Sequence, residues 1–366
     1  MFYKKTTIIG LLCLLAVHMQ AQEGNWLTRS LLKVKNLIDS STFKGIDPRY
    51  IGVPSRPWQV VARYNMDQMN LTMNSFVEED WDDDKFEFDM DSKLRTGTAN
   101  RIGVWVGYRG YGLGYSVNVG SQRGSYFTTG ITGSSYGINL RLRTFSTKDL
   151  DVDANIKLGQ EHAKAHEAME LPEAIRVRSL IVDGYYLFNG KHFSYTAAYD
   201  HSTIQLRSAG SLMVGGMWHH TSIRFDSDAN AFFIDMMDRV GCIKIRQGSL
   251  GVGYAYNWVP ARGLLINALF MPMLTVYNSQ KADLYDTYVD EVVDVFDNDR
   301  IYYSESFRRN SHVTMTFDAR MSITYNWERF YVNACGQWNH YRYSHGDTGN
   351  GYLNDWFLNT SLGVRF

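Results

Sequence analysis

The sequence is short of proline, cysteine and long apolar runs. Proline occurs 6 times and cysteine 3 times in 366 residues. Beyond the first twenty residues, no stretch approaches the roughly 18 consecutive apolar residues that a membrane helix needs. The last absence excludes a helical membrane protein. Apart from the N-terminal Cys13, only Cys242 and Cys335 remain, too few for a disulfide framework. They are expected to be free thiols on different strands. Neither sign of charge is in excess: 37 Lys+Arg against 38 Asp+Glu leave a formal charge of −1, and no basic stripe points to nucleic acid. What is abundant is aromatic, with 24 Tyr, 19 Phe and 9 Trp inside a 45% hydrophobic content that rules out a disordered chain. A soluble β-rich domain and a transmembrane β-barrel remain, the latter because its strands carry a weak hydropathy signal.

Residues 1–21 read as a secretory signal, with Lys4 and Lys5 ahead of an apolar stretch over 8–17 and Ala21 before the cleavage point. Residues 22–57 form an N-terminal segment. Within it Leu27, Leu31, Val34 and Ile38 recur at helical spacing, which predicts a short amphipathic helix before Pro48, Pro54 and Pro57 break regular structure. This segment is expected to be a packed periplasmic cap, a membrane-surface helix being the alternative.

From Trp58 to Phe366 the period is two. Val313 to Trp327 alternate apolar and polar residues without a break, and Trp356, Leu358, Thr360, Leu362, Val364 and Phe366 share one face of the last segment. The spacing predicts about twelve spanning strands: 58–72, 98–108, 111–120, 134–145, 149–158, 176–188, 209–225, 247–258, 262–277, 311–327, 329–343 and 352–366. Two are irregular. In 209–225 the phase changes near His219, and 262–277 is apolar on both faces with Pro272 inside, so a bulge is expected in each. Short turns alternate with long polar connections, namely 121–133, 159–173, 226–245, 279–309 and 344–351, as in outer-membrane barrels. Residues 85–91 read as a hairpin arm standing off the membrane.

The polar face discriminates between barrel and sandwich. Arg63, Asp67, Arg141, Arg143, Asp151, Lys157, Asp183, Asp318, Arg320 and Arg365 are placed on it and are expected to line a narrow, charge-paired lumen. Trp58, Tyr108, Phe188, Trp258, Trp327 and Phe330 sit beside the short turns, as an aromatic girdle would. The fold class expected is therefore all-β, a transmembrane antiparallel up-and-down barrel with a short N-terminal helix. Phe366 ends an alternating strand and looks like a C-terminal signal for outer-membrane assembly machinery.

Residues 191–213 carry a resemblance. Phe193-Ser194-Tyr195 followed by Ala197-Ala198-Tyr199, then Gln205 and Ser208-Ala209-Gly210-Ser211, resembles the signature of a Bacteroidota outer-membrane family, catalogued as domain of unknown function 4421. Tyr50-Ile51 before Trp58, Tyr136-Gly137-Ile138-Asn139-Leu140 and Tyr186-Leu187-Phe188-Asn189 are similar to other parts of that family, so the match covers roughly 46–366. The resemblance implies an exported barrel and no reaction. Residues 190–208 are long for a periplasmic turn and are expected either to fold into the barrel mouth as a plug or to form a structured turn.

No catalytic centre, metal site or cofactor is expected. His201/Ser202 and Ser344/His345/Asp347 hold residue types suited to a lipid hydrolase, yet adjacent residues on a strand point to opposite faces. His219 and His220 fail as metal ligands for the same reason. The acidic runs 78–84 and 283–299 lack Ca²⁺-loop spacing and read as solvated loops. The expectation is a monomeric outer-membrane barrel of a Gram-negative cell, acting as a narrow channel or a scaffold, with outer-membrane lipid and lipopolysaccharide as surroundings. The alternatives are a subunit of a larger envelope complex and a barrel enzyme acting on lipid.

Overall fold

The computed structural model describes residues 42–81, 84–120, 123–158, 161–236, 239–288, 300–310, 313–344 and 350–366. The expected signal segment, the helix expected over Leu27 to Ile38, His345 and Asp347 lie outside them.

Alternation from Trp58 onward becomes twelve long strands. They are β2 (Trp58–Trp81), β4 (Ala99–Tyr108), β5 (Tyr111–Asn118), β6 (Arg123–Thr132), β7 (Tyr136–Leu158), β8 (Glu161–Leu187), β10 (Ala209–Arg224), β11 (Val240–Ala261), β12 (Leu264–Tyr288), β14 (Thr314–Trp327), β15 (Phe330–Ser344) and β16 (Asn350–Arg365). Each pairs antiparallel with the next, and β16 returns to β2, so the twelve close into a barrel. At the seam the backbones of Trp58 and Phe366 exchange hydrogen bonds of 3.2 and 2.9 Å. Closure leaves no unpaired edge in the wall.

The strand count agrees with the sequence, but two strands differ. Residues 123–132, expected within a loop, are β6. Its Gly, Ser and Thr content reads as loop, although Tyr126 is buried on the inner face. Conversely, 134–145 and 149–158 are one strand, β7, with a register irregularity between Thr147 and Asp149 in its pairing with β8. The supposed long loops are largely strand. β7 and β8 continue to Leu158 and Glu161, and β13 (Arg300–Asn310) pairs with the end of β12. The arm over 85–91 belongs to β3 (Asp84–Thr96), which pairs with β2 on one edge and β7 on the other. It is therefore wall, passing above the short β4, β5 and β6.

The two irregular segments resolve differently. β10 pairs with β8 and β11 without a register shift, so no bulge exists at His219. The alternation loses contrast in the sequence because the inner face there is apolar, with Met213, Met217 and Ile223 buried. In β12 the register does shift, Gly248 pairing Tyr277 while Ser249 pairs Thr275, which leaves Val276 as the extra residue.

The barrel is apolar outside and polar within its middle. Leu250 is 62% exposed and Met321 64%, whereas Arg101 and Asp318 are 0% exposed. Four of the rim aromatics, Phe188, Trp258, Trp327 and Phe330, are exposed beside the short turns; Tyr108 is buried, its ring 4.8 Å from that of Trp58. The turn between β4 and β5 is Arg109-Gly110, both with positive φ (47° and 83°), a geometry matching the twist of a tight hairpin.

Candidate functional site

The lumen is filled in three layers. The first, at the short-turn end, is the segment between β8 and β10. Its apolar and small residues form a five-residue helix, α1 (Tyr195–Tyr199), capped by Ser194, whose Oγ accepts from the Ala197 amide at 3.2 Å. Phe193 and Ala198 are fully buried. A two-stranded ladder, β1 (Ile51–Gly52) with β9 (Ile204–Gln205), ties the segment to the residues preceding the barrel.

Gln205 is the hub. Its Oε1 accepts from the Ser194 amide (2.9 Å) and from Asn257 (2.8 Å), while its Nε2 donates to the carbonyls of His192 (2.7 Å) and Arg207 (2.9 Å). The segment touches the wall on several sides. Arg320 of β14 donates to Tyr195 Oη (2.5 Å), Gln59 of β2 to the Asp200 carbonyl (2.8 Å), Asn257 of β11 to the Ser194 carbonyl (2.8 Å), and Arg365 of β16 to the His201 carbonyl (2.9 Å). Ser208 Oγ accepts from the Val259 amide at 2.9 Å. Ala209 is buried, and a Cβ on Gly210 would fall 2.0 Å from Tyr254 Oη, so only glycine fits without moving that ring. Ser211 Oγ accepts from the Asn189 amide at 3.0 Å. Residues 193–205 thus pack against the inner face of the wall at the short-turn end.

The segment is also held from outside the wall. The Asp47 amide donates to the Lys191 carbonyl at 2.9 Å. Arg49 chelates the Asp47 carboxylate (Nη2 to Oδ2, 2.7 Å), and that hydrogen bonding holds the carboxyl well below the usual carboxylate range.

The second layer is a belt of buried charge. Asp67 of β2 accepts from Arg101 of β4 and from Arg143 of β7 (2.9 Å), and Arg143 reaches on to Asp355 of β16 (2.7 Å). Asp183 of β8 accepts from Arg141 (2.5 Å) and Asn139 (2.9 Å). Arg320 is bound by Asp318, two residues away on its own strand, and lies 3.5 Å from Asp183. Arg141 also bonds Gln337 of β15, bridging the lumen. Two of the inward-facing arginines of this site have no carboxylate partner among the described residues. Arg63 lies 5.0 Å from the Trp105 ring centroid, and Arg365 lies 4.5 Å from that of Tyr331. A cavity of about 150 Å³ separates the belt from the 193–205 segment, bordered by Arg63, Trp105, Arg141, Tyr195 and Arg320.

Of the ten charged residues expected in the lumen, eight are in or beside this belt. Asp151 and Lys157 are not brought to it. Their backbone lies on the far stretch of β7, where β3 is the neighbour (Asp151 opposite Arg95, Lys157 opposite Asp89), and their side chains lie outside the described residues. Arg101 and Asp355 complete the belt and were not singled out from sequence. Each occupies the polar phase of its strand, opposite Ile102 and Trp356, which was the available signal.

The third layer is apolar. Ile175 and Val177 of β8, Ile223 of β10, Ile245, Met273 and Leu353 point inward and are buried. Above them a 3-10 turn (Asp228–Asn230) leads into a second helix, α2 (Ala231–Met236), which inserts Phe233 and Ile234 into the layer. Asn230 fastens this cap, accepting from the Glu173 amide (3.1 Å) and donating to the Phe225 carbonyl (3.1 Å).

Of the hydrolase candidates, His201/Ser202 is not assembled, and the side chains of Ser344, His345 and Asp347 lie outside the described residues. Ser202 Oγ donates to Asp200 (2.7 Å), while the His201 ring packs on Tyr331 at 4.5 Å. His219 faces in, stacked on Tyr341 at 4.2 Å and bonded to Thr221 (2.6 Å); His220 lies against the Ile245 carbonyl (3.2 Å). Among the described residues no group of three or more His, Cys, Asp or Glu could hold a metal, and Cys242 and Cys335 are free thiols.

Solved barrels align with most of the chain at low similarity. The outer membrane protein OprG from Pseudomonas aeruginosa shares 11% identity over 86% of this chain and 98% of its own, with a TM-score of 0.26. An outer membrane channel from Pseudomonas putida F1 shares 11% over 88% and 100%, with a TM-score of 0.29. The outer membrane protease OmpT from Escherichia coli shares 9% over 86% and 97%, with a TM-score of 0.37. No curated protein matches the sequence significantly. A family model does match, over residues 47–366. The chain belongs to that family, the domain of unknown function DUF4421.

Proposed function

We propose that this protein is an outer-membrane barrel of a Gram-negative, Bacteroidota-like cell that stands closed and works as a non-enzymatic scaffold, not as a diffusion pore. The membrane reading rests on the apolar exterior, the aromatic rim and the closed wall, which together suit hydrocarbon. By the usual asymmetry of such barrels, the short turns and the plug face the periplasm and the long strand extensions face outward. Insertion would use the assembly machinery through the C-terminal strand, with lipopolysaccharide and lipid as surroundings and the barrel as a monomer.

One observation carries the closed state. The 190–208 plug and α2 with its apolar layer stop the lumen from opposite ends, leaving the cavity of about 150 Å³ between plug and belt. That volume suits a few waters and no continuous path. Conductance in planar bilayers tests it. The folded wild-type barrel is expected to show no steps, and deletion of 192–206 is expected to leave it stoppered at α2. The deletion combined with Phe233→Ala and Ile234→Ala leaves the belt and the wall's own side chains as the remaining barrier and is the variant expected to show the first steps. Steady steps from the wild type would overturn the reading.

A second reading, a subunit of a larger envelope complex, is favoured by β13. It pairs with β12 on one edge, and Tyr302, Tyr303 and Phe307 are exposed on it.

A further inference from the structure

We propose that the outer wall carries a phosphate-binding collar for lipid A, the phosphorylated lipid of an outer leaflet, built from arginines and a lysine above the apolar band. The inference rests on the membrane reading above and adds residues and a ligand to it.

Strand spacing leads to the collar. Counting from the aromatic residues at the short-turn ends, Lys148 lies twelve residues beyond the exposed Tyr136 that begins β7, Arg178 ten from Phe188 just past the end of β8, Arg246 twelve from Trp258 on β11, and Arg342 twelve from Phe330 on β15. At about 3.3 Å per residue and a tilt near 45°, such distances climb roughly 23–28 Å, close to the ≈ 25 Å height of an outer-membrane apolar band. Four separate strands therefore turn from apolar to basic at one level, where the far headgroups would lie. Leu250, 62% exposed, stands just below Arg246 on β11, and Trp338 just below Arg342 on β15.

All four residues face outward and are exposed, since Thr147, Val177, Ile245, Gln247 and Tyr341 beside them are buried on the inner face. Arg178, Arg246 and Arg342 have no carboxylate partner among the described residues, and no outward Asp or Glu of the described residues shares their level. This contrasts with the lumen, where most arginines are matched by acid, and with Arg224 and Lys244 slightly higher, which pair with Asp226 and Asp283. At this level Arg176, twelve residues beyond Phe188, pairs with Glu173 at 4.0 Å, which leaves Arg178, Arg246 and Arg342 as the guanidinium groups for which a phosphate would be the natural partner. Guanidinium groups bind phosphate oxygens through paired donors, and each basic residue near an anionic surface contributes about 1 kcal/mol, roughly fivefold in affinity. The long stems meanwhile lie along the apolar wall.

The test uses the full barrel in detergent, checked first for heat-modifiable migration and for retention in carbonate-washed membranes. Failure of that check overturns the membrane reading itself. Native mass spectrometry then measures binding of bis-phosphorylated lipid A and of its dephosphorylated form. The collar predicts that the wild type retains the phosphorylated lipid. It also predicts that Arg178→Gln, Arg246→Gln and Arg342→Gln each weaken binding about fivefold, and that the dephosphorylated lipid binds weakly to all. Equal binding by wild type and variants, indifference to the phosphates, or complete displacement by inorganic phosphate would overturn it. Single variants on an exposed face keep the test available if a combined variant misfolds.

Discussion

Two layers of one lumen are filled by opposite means. In the belt, β2, β4, β7 and β16 meet through Asp67, Arg101, Arg143 and Asp355, each charge answered from another strand. In the layer under α2, β8, β10 and β11 meet through Ile175, Ile223 and Ile245. Both exclude water, but they fail differently when broken. A buried ion pair contributes little net stability while intact, because desolvation offsets attraction, yet losing one partner leaves an uncompensated charge. An apolar layer loses transfer energy in proportion to what is removed. The belt therefore specifies register and the apolar layer supplies stability.

Asp67→Ala is the sharpest way to break that contrast. It leaves the buried Arg101 guanidinium without a carboxylate and Arg143 with Asp355 alone, and is expected to cost about 3–5 kcal/mol. Urea titration of the folded, heat-modifiable band reads this, and a loss below that of the apolar variant would contradict the distinction. Ile234→Ala, which removes the tip of the α2 cap, comes next at about 2–4 kcal/mol, measured the same way.

The smallest effect is at the Asp47 clamp outside the wall. Its folded-state pKa is depressed, so its contribution is fully present above the ordinary carboxylate value near 4 and is lost only as pH falls through the lower folded value. Hydrogen exchange at residues 50–52 and 204–206, corrected for intrinsic rates, should be flat from pH 8 to about 4 and rise below. A rise between pH 7 and 5 would point to a different group.

Much of the wall was legible because a barrel in lipid imposes one rule on every strand, apolar outward. Val313 to Trp327 obeys it fully. Asp67, Arg143, Asp183 and Arg320 were legible for the same reason, as charges in the inward phase. Legibility failed where the inner face is also apolar. Along β10 the rule loses its contrast, so Met213, Met217 and Ile223 look like a phase slip at His219. It failed again where neither face is strongly apolar, as in β6 with Thr128 and Thr129 side by side. The 190–208 segment stood out by length and signature, but its partners could not be read, because Gln205 meets Asn257 only through tertiary contact. The α2 cap left no usable trace. Six residues with two buried aromatic or aliphatic side chains look no different from a polar connection that happens to contain Phe233 and Ile234.

The path of β3 has a consequence for how much filling each end requires. Where β4, β5 and β6 stop, the single strand β3 joins β2 directly to β7, so three staves give way to one. Barrel diameter grows roughly in proportion to strand number, so the cylinder narrows by roughly a sixth, and its cross-section by about 30%. The barrel wall tapers. Its wide mouth needs a separate stopper made of chain, and its neck can be sealed by side chains from the wall and one turn of helix.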